Sequence, residues 1–355
     1  MSAAIEPVAL SGVGMVTPLG DGADASCAAL RAGISRYQEM PWLGAGLVDR
    51  DERPVIPVGA TIREWAEGYT GLGRFTRLAA NALRDLFDRA GVTPADLASA
   101  AVYVALPEEG RPGVDPRVAS SLGARIDEWL GLRSALRMKA IPRGHAGFVE
   151  ALSLAARDVA EGRAPRAIVG GVDSLVDART VEALFRAKRL KAGDRPVGLF
   201  PGEGAAFALI EPIATASKRP AWSRVTIEGA ATSTEGALDP SKPSLGVGLG
   251  DALRRTMAAL ADRGESVGLV VSDMNGEPWR SEELAYAMTR ALSGAKTPFR
   301  LWHAADCIGD TGAAAPAVGL GMAARALAKG YARTATALVV ASSDGGLKGS
   351  FAVRK

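Results

Sequence analysis

Apolar positions along the chain alternate between long runs and helical spacing, and that alternation predicts an α/β protein with buried sheets. Residues 8–10 form a short apolar run that opens into Ser11-Gly12-Val13-Gly14, and Asp21 or Asp24 can then cap a helix reaching Ala32. This predicts a strand, a glycine turn and a helix. Over residues 72–90 the apolar positions recur at helical spacing and stop at Gly91. Residues 100–106 predict a buried strand. Residues 148–160 are again helical, ending at Gly162, and 167–172 predict a strand that runs into a turn at Gly170-Gly171. Pro201-Gly202-Glu203-Gly204 predicts another turn, followed by an apolar strand over 205–210. Residues 36–65 show no clean period and predict loops over the body.

The second half repeats the plan. Residues 267–272 predict a strand, 311–328 a helix of small residues, and 337–341 a strand ending near Gly345-Gly346. The first part of that helix is apolar on all sides, so it should be buried on all sides. Pro165-Arg166-Ala167-Ile168-Val169-Gly170-Gly171 resembles Thr336-Ala337-Leu338-Val339-Val340 leading to Gly345-Gly346, each after a helix ending in Gly. Two related halves are expected, residues 1–214 and 215–355, joined near 212–220.

Composition narrows the function. With 42 basic and 39 acidic side chains the net charge is +3, too small an excess for binding by phosphate neutralisation to be the main activity, so no nucleic-acid partner is expected. Hydrophobic residues make up 48% of the chain, which is ample for a large core. Cys27 and Cys307 are the only cysteines, which excludes a disulfide framework and a cysteine-based zinc site. The N-terminal residues lack a basic segment followed by an apolar core, so no secretory signal is expected. Residues 311–324 carry no charge but are too short to span a bilayer and contain Pro316. The expectation is a cytoplasmic protein in a reducing compartment, without a membrane span.

Three segments together carry a resemblance. Val8-Ala9-Leu10-Ser11-Gly12-Val13-Gly14-Met15-Val16-Thr17-Pro18-Leu19-Gly20, the stretch 167–174, and Pro201-Gly202-Glu203-Gly204-Ala205-Ala206-Phe207 resemble the β-ketoacyl synthases, the condensing enzymes of fatty-acid and polyketide assembly. The likeness is good over 8–33 and 145–211 and thinner over 267–355. It implies the thiolase fold, two related α/β halves in an αβαβα layered arrangement. It also implies a cysteine at the mouth of a buried helix, where the dipole favours a thiolate, with two histidines and a lysine supporting decarboxylation and condensation.

This chain departs from that pattern at every catalytic side chain. Family spacing back from Gly170 puts His145 in the cysteine slot. Gly309-Asp310-Thr311 is similar to the family's Gly-His-Thr turn, which places Asp310 at one histidine, and the lysine upstream becomes Ala305. The other histidine slot falls on Asp273 or Asn275: spacing to Asp310 favours Asp273, and the following Gly276 favours Asn275. The family's aromatic gate near the C-terminus becomes Asp344.

A helix mouth disfavours imidazolium, so a neutral His145 acting as base or acyl acceptor is expected if the residue is functional. The plainer reading is a side chain that fills the vacated pocket and hydrogen-bonds to Asp310 or Asp273. His145, Asp273 and Asp310 also suit a divalent ion by chemistry, but no local motif supports it and no metal is expected. His303 reads as a core or interface residue and Cys307 as a small buried hydrophobe. Glycines 202, 204, 345 and 346 lack the Lys-Ser or Lys-Thr of a phosphate loop and read as tight turns, and no cofactor is expected. Arg186, Lys188, Arg189 and Lys191 form a basic cluster that either receives an acidic carrier protein or its phosphopantetheine, or is a solvated helix end. Arg254 and Arg255 read as surface charge.

The expected function is a catalytically inactive synthase-like subunit, scaffold or adaptor, with chain-length-factor-like pairing as the model within the family. Its expected partners are proteins, in a homodimer or heterodimer through the family's dimer surface, with an acyl carrier protein as a further candidate. The alternative is an enzyme with rewired acyl transfer or thioester hydrolysis at His145.

Overall fold

A computed structural model describes residues 6–133, 136–219, 225–239, 242–260, 267–292 and 298–355. In the first half the strands are β1 (Val8–Thr17), β2 (Gly20–Asp21), β3 (Gln38–Glu39), β4 (Val58–Gly59), β5 (Ala101–Ala105), β6 (Met138–Ile141), β7 (Ala167–Ser174) and β8 (Glu203–Glu211). Its helices are α1 (Ala23–Arg31), α2 (Arg63–Ala66), α3 (Gly71–Ala90), α4 (Pro94–Ser99), α5 (Val118–Leu130), α6 (Gly147–Ala160) and α7 (Ala178–Arg186). After α8 (Ile213–Ala216) come β9 (Val225–Thr234), α9 (Val247–Ala258), β10 (Val267–Ser272), α10 (Pro278–Leu292), β11 (Arg300–His303), α11 (Ala305–Ile308), α12 (Ala315–Ala328), β12 (Thr336–Ser342) and β13 (Leu347–Arg354).

The main strands form two arrays of identical plan. One runs β1-β8-β7-β5-β6 and the other β9-β13-β12-β10-β11. Each takes its strands in the order first, fifth, fourth, second, third, and the parallel and antiparallel pairings match strand for strand. The arrays join where Val8, Ala9 and Leu10 of β1 pair with Ile227, Thr226 and Val225 of β9. Helices α6 and α12 lie between the arrays, each touching strands of both; α3 and α5 cover the first array outside, and α9 and α10 the second. The layers are therefore αβαβα, two related halves around a shared pair of helices.

The sequence explains the layering. From Pro316 to Ala324 every residue of α12 is buried, as a helix without a polar face must be when sheets cover both sides. Small residues let it approach: a Cβ at Gly321 would stand 2.5 Å from the Met15 methyl. Phe148 of α6 meets Phe351 of β13 with ring centroids 5.8 Å apart, tying the central layer to the second array.

Two expected glycine turns are instead strand interior. β1 continues through Gly12 and Gly14 with one irregularity between Leu10 and Gly12, and β7 continues through Gly170 and Gly171. The glycines serve close packing: a Cβ at Gly14 would lie 2.2 Å from the Ala82 carbonyl of α3, and one at Gly170 would lie 2.1 Å from the Phe207 ring. The helix expected to start at residue 311 begins at Ala315, because Gly312–Ala314 forms a tighter 3-10 turn first. The segment expected as loops carries β3, β4 and α2 as short elements, and its Met40, Leu43 and Val55 pack on Val181 and Phe185 of α7.

Candidate functional site

The mouths of the two central helices meet. His145 stands in the turn before α6, and Asp310 in the turn between α11 and α12. Asp310 is fixed through its backbone: its N–H donates to Phe200 O at 2.8 Å, and Gly202 N–H donates to its carbonyl at 2.9 Å. That approach needs a glycine, since a Cβ at Gly202 would sit 2.1 Å from the Ile308 carbonyl. The Pro-Gly-Glu-Gly segment thus serves to seat Asp310.

His145 Nε2 donates to Asp310 Oδ1 at 2.9 Å, and Gly312 N–H donates to the same oxygen at 2.8 Å. Asn275 Nδ2 donates to Asp310 Oδ2 at 2.6 Å and to Glu277 Oε2 at 3.0 Å. Every neighbour of Asp310 is therefore a donor, the arrangement an ionised carboxylate requires. Burial pushes the Asp310 carboxyl upward, but His145, Arg280 and the Asn275 hydrogen bond outweigh it and hold the group well below the usual carboxylate range. For His145 burial again opposes the charge, and Asp310 with Asp273 overcomes both burial and the repulsion of Arg280, so the ring titrates above its ordinary value. The carboxylate thus shifts the ring opposite to the direction expected from the helix end alone. The helix-end dipole is weak beside a carboxylate in direct contact.

Asp273 is engaged elsewhere. Its Oδ2 accepts from Arg280 Nη1 at 2.7 Å and from Ser342 N–H at 2.8 Å. Asn275 is thus the post-β10 residue that joins the His145–Asp310 pair. Among the described residues no group of three His, Cys, Asp or Glu side chains is arranged to hold a metal ion.

Asp344, in the loop after β12, is one of several acids held by buried arginines. Arg189 reaches Glu277 with two contacts of 2.6 and 2.9 Å and Asp344 with two of 2.5 and 3.2 Å. Burial raises the Asp344 carboxyl, whereas Arg189 and Arg280 more than reverse this and lower it. Arg111 grips Asp173 at 2.6 and 2.8 Å, and the same carboxylate accepts from Ala313 N–H at 2.9 Å. The sequence reading missed Arg111, Arg280, Asp173 and Glu277. It placed Arg189 in a basic surface cluster, but the side chain is largely buried and fully paired within the chain. Arg186 pairs with Glu182 on the surface of α7.

A cavity of about 430 Å³ opens over these groups. His145, Asp310, Arg111, Asp173, Arg189 and Asp344 form its polar wall, and Pro112, Leu175, Leu184 and Leu199 contribute to the apolar one. Glu108 crosses its edge, accepting from Gly345 N–H at 2.9 Å. No cysteine, serine or lysine is among the described residues that line it. Ala305 opens α11 outside this wall. Cys307 and Cys27 line a different cavity, with burial raising both thiols, Cys27 to about 12. His303 is part-exposed, its Nε2 2.8 Å from Asp306.

With Nε2 and Asp310 locked together, the site can hold one proton on the imidazole and orient the ring. Its described lining holds no thiol, and its one hydroxyl, that of Thr180, is spent on Pro112 O at 2.8 Å rather than free to attack an acyl group.

No protein-family model and no curated protein matches the sequence. Solved structures do match. A chain of AntDE:AntF, a type II polyketide synthase acyl-carrier protein in complex with its ketosynthase bound to the hexaketide, superposes with a TM-score of 0.80 and 15% identity, covering 99% of each chain. A chain of the ishigamide ketosynthase/chain length factor superposes with a TM-score of 0.75 and 18% identity, covering 99% of this chain and 100% of that one. Among the described residues no helix is long and apolar enough to cross a membrane. At these identities the likeness is one of fold, and the chain has the thiolase-like fold of ketosynthases and chain length factors.

Proposed function

We propose that this chain is a non-catalytic ketosynthase-like subunit that works by pairing with another protein, in the manner of a chain length factor beside a cysteine-bearing synthase. The observation that carries the reading is the His145–Asp310 ion pair at the mouth of α6. Where a condensing enzyme needs a thiolate, this chain holds an imidazole hydrogen-bonded to a buried carboxylate, in a cavity whose described lining has no thiol and no hydroxyl besides that of Thr180. The Thr180 hydroxyl donates to Pro112 O at 2.8 Å, so it is not free to attack. The fold neighbours give the pairing its precedent, since their structures are those of a ketosynthase with its carrier protein and of a ketosynthase with a chain length factor. Other partners remain within the reading as scaffold or adaptor roles, with an acyl carrier protein as a further ligand of the assembly.

The test is native mass spectrometry of the protein purified from its own host, together with acyl-thioester and malonyl-thioester turnover by the chain alone. A one-to-one complex with a cysteine-bearing synthase and no turnover by the isolated chain is the expected result. Recovery as a homodimer that turns over thioesters would overturn it.

A second reading has one observation in its favour. The Nδ1 of His145 makes no hydrogen bond among the described residues, while Asp310 orients the ring within the cavity. Above its raised pKa the ring is neutral, with Nε2–H on Asp310 and Nδ1 an acceptor, and water activated at Nδ1 would hydrolyse a thioester. Turnover abolished by His145→Ala, with partner binding intact, would establish this reading in place of the first.

A further inference from the structure

A second cavity, of about 610 Å³, opens on the outer helical layer between the first turns of α3 and the last turns of α5. It shares no lining residue with the central cavity, so a ligand bound in it would be independent of the function proposed above. Its centre is Arg77. The guanidinium carbon lies 4.7 Å from the centroid of the Tyr69 ring and 4.2 Å from that of Trp129, held between the two rings. Arg77 Nε donates to Trp65 O at 3.0 Å, which fixes the plane further. The two Nη groups have no acceptor among the described residues, and no carboxylate pairs with this arginine.

The neighbouring charges are already satisfied. Arg117 pairs with Asp115 and Arg125 with Glu128, both at 2.8 Å. Three arginines and two carboxylates line the cavity, leaving 3 − 2 = +1, and that charge is Arg77's. The N-terminus of α3 is also occupied, because Asp115 accepts from Leu72 N–H. Tyr69 and Trp129 both line the cavity and are 41% and 44% exposed.

We propose that this cavity binds a small planar aromatic anion, a carboxylate or a phosphate ester, with its charged group on the free fork of Arg77 and its ring against Trp129 or Tyr69. The planar guanidinium fork matches two acceptor oxygens, and here it is pre-set by two aromatic faces with no internal anion to displace. A ring supplies what a bare ion lacks, an apolar body for the exposed tryptophan and tyrosine.

Three probes of common ring size test this: naphthoate, naphthyl phosphate and the uncharged naphthalenemethanol, each titrated against the full chain by calorimetry and by quenching of the Trp129 component of fluorescence, identified with Trp129→Phe. One or both anions should bind at micromolar to millimolar concentration, the tighter one identifying the anion type, and the alcohol should bind at least tenfold more weakly. Arg77→Gln should weaken anion binding by about tenfold to a hundredfold, and Arg77→Lys, which keeps charge and loses the fork, by less. Gly73→Leu supplies a variant that leaves Arg77 in place. A Cβ there would lie 3.5 Å from the Tyr69 ring, an ordinary contact, and leucine favours the helix, so the fold persists while the side chain fills the cavity and abolishes binding. The proposal is overturned if neither anion binds at millimolar concentration, if the alcohol binds as well as the anions, or if Arg77→Gln or Gly73→Leu binds like the parent chain.

Discussion

His145 and Asp310 are 165 residues apart, one from each half, and their side chains meet at 2.9 Å. They stand at matching places, each just before one of the two central helices. Around them further cross-half contacts gather: Arg189 with Glu277 and Asp344, Glu108 with Gly345, Asp173 with Ala313, and Ser343 Oγ accepting from Ala146 N–H at 2.9 Å. The meeting point of the two central helices is thus a clasp of paired charges.

That clasp gives stability a pH dependence. Burial opposes charge on His145, yet Asp310 raises its pKa above 6.5, so the pair contributes fully below 6.5 and its contribution is lost as pH rises through the raised value. Asp310 runs the other way: its lowered pKa makes its contribution present above 3.8 and lost only in strong acid. His145→Gln should cost about 3 kcal/mol at mildly acidic pH, because it leaves a buried carboxylate short of its cation. The gap in Tm between parent and variant should close as the buffer becomes alkaline. A gap that stays constant over that range would mean the ring is not charged in the folded protein.

A thiol placed at His145 should not be reactive by itself. In His145→Cys the sulfur would face Asp310, and a unit charge about 4 Å away at a protein-like dielectric is worth about 4 kcal/mol against a thiolate. The α6 dipole offers only about 1 kcal/mol in its favour. Alkylation of the new thiol by iodoacetamide, followed by mass spectrometry at neutral pH, should therefore be slower than that of a free cysteine. Adding Asp310→His should accelerate it at least tenfold. Fast alkylation of the single variant would show that Asp310 does not govern this position.

Much of this layout was legible in the sequence, and what escaped it has physical causes. The strands β7, β10 and β12 are buried on both faces and show as apolar runs, and α12 shows as a helix with no polar side. β13 did not, because Lys348 and Ser350 interrupt it; both are buried, Lys348 2.7 Å from Glu283 and Ser350 2.7 Å from the Thr256 hydroxyl. The edge strands β6 and β11 are only four residues long, and each carries a basic residue, Lys139 or Arg300, too short a run for a periodic signal. The slots of His145, Asp310 and either Asp273 or Asn275 came from the resemblance, whereas the upward shift of His145 followed only from seeing which carboxylate it met. Arg189 read as surface charge since its partners Glu277 and Asp344 lie 88 and 155 residues away in sequence.

The strand glycines give a sharp packing prediction. Gly14→Ala would place a methyl 2.2 Å from the Ala82 carbonyl and the Leu86 amide, so either β1 or α3 must move. A loss of about 3 kcal/mol is expected in urea unfolding. Gly193→Ala, where a Cβ would meet nothing within 4 Å, should stay within about 0.5 kcal/mol of the parent. Equal effects at the two positions would contradict the close approach of α3 to β1.

Arg189 separates a clasp from a docking surface. As a surface cation for an acidic carrier it would tolerate replacement with little change in Tm and lose partner affinity in a salt-dependent way. As the shared cation of Glu277 and Asp344 it cannot be removed so lightly, because Arg189→Met leaves two carboxylates without it; Glu277 is almost wholly buried, its side chain 3% exposed. The expected cost is about 3 to 5 kcal/mol. Arg189→Lys keeps the charge but cannot span both acids with a planar fork, so it should recover only part of the loss. Adding Glu277→Gln to Arg189→Met removes one of the stranded charges and should restore part of the stability, a coupling readable as non-additivity in a double-mutant cycle. If Arg189→Met melts like the parent and the cycle is additive, the pairing does not hold the two halves together, and the basic cluster regains its place as a surface feature.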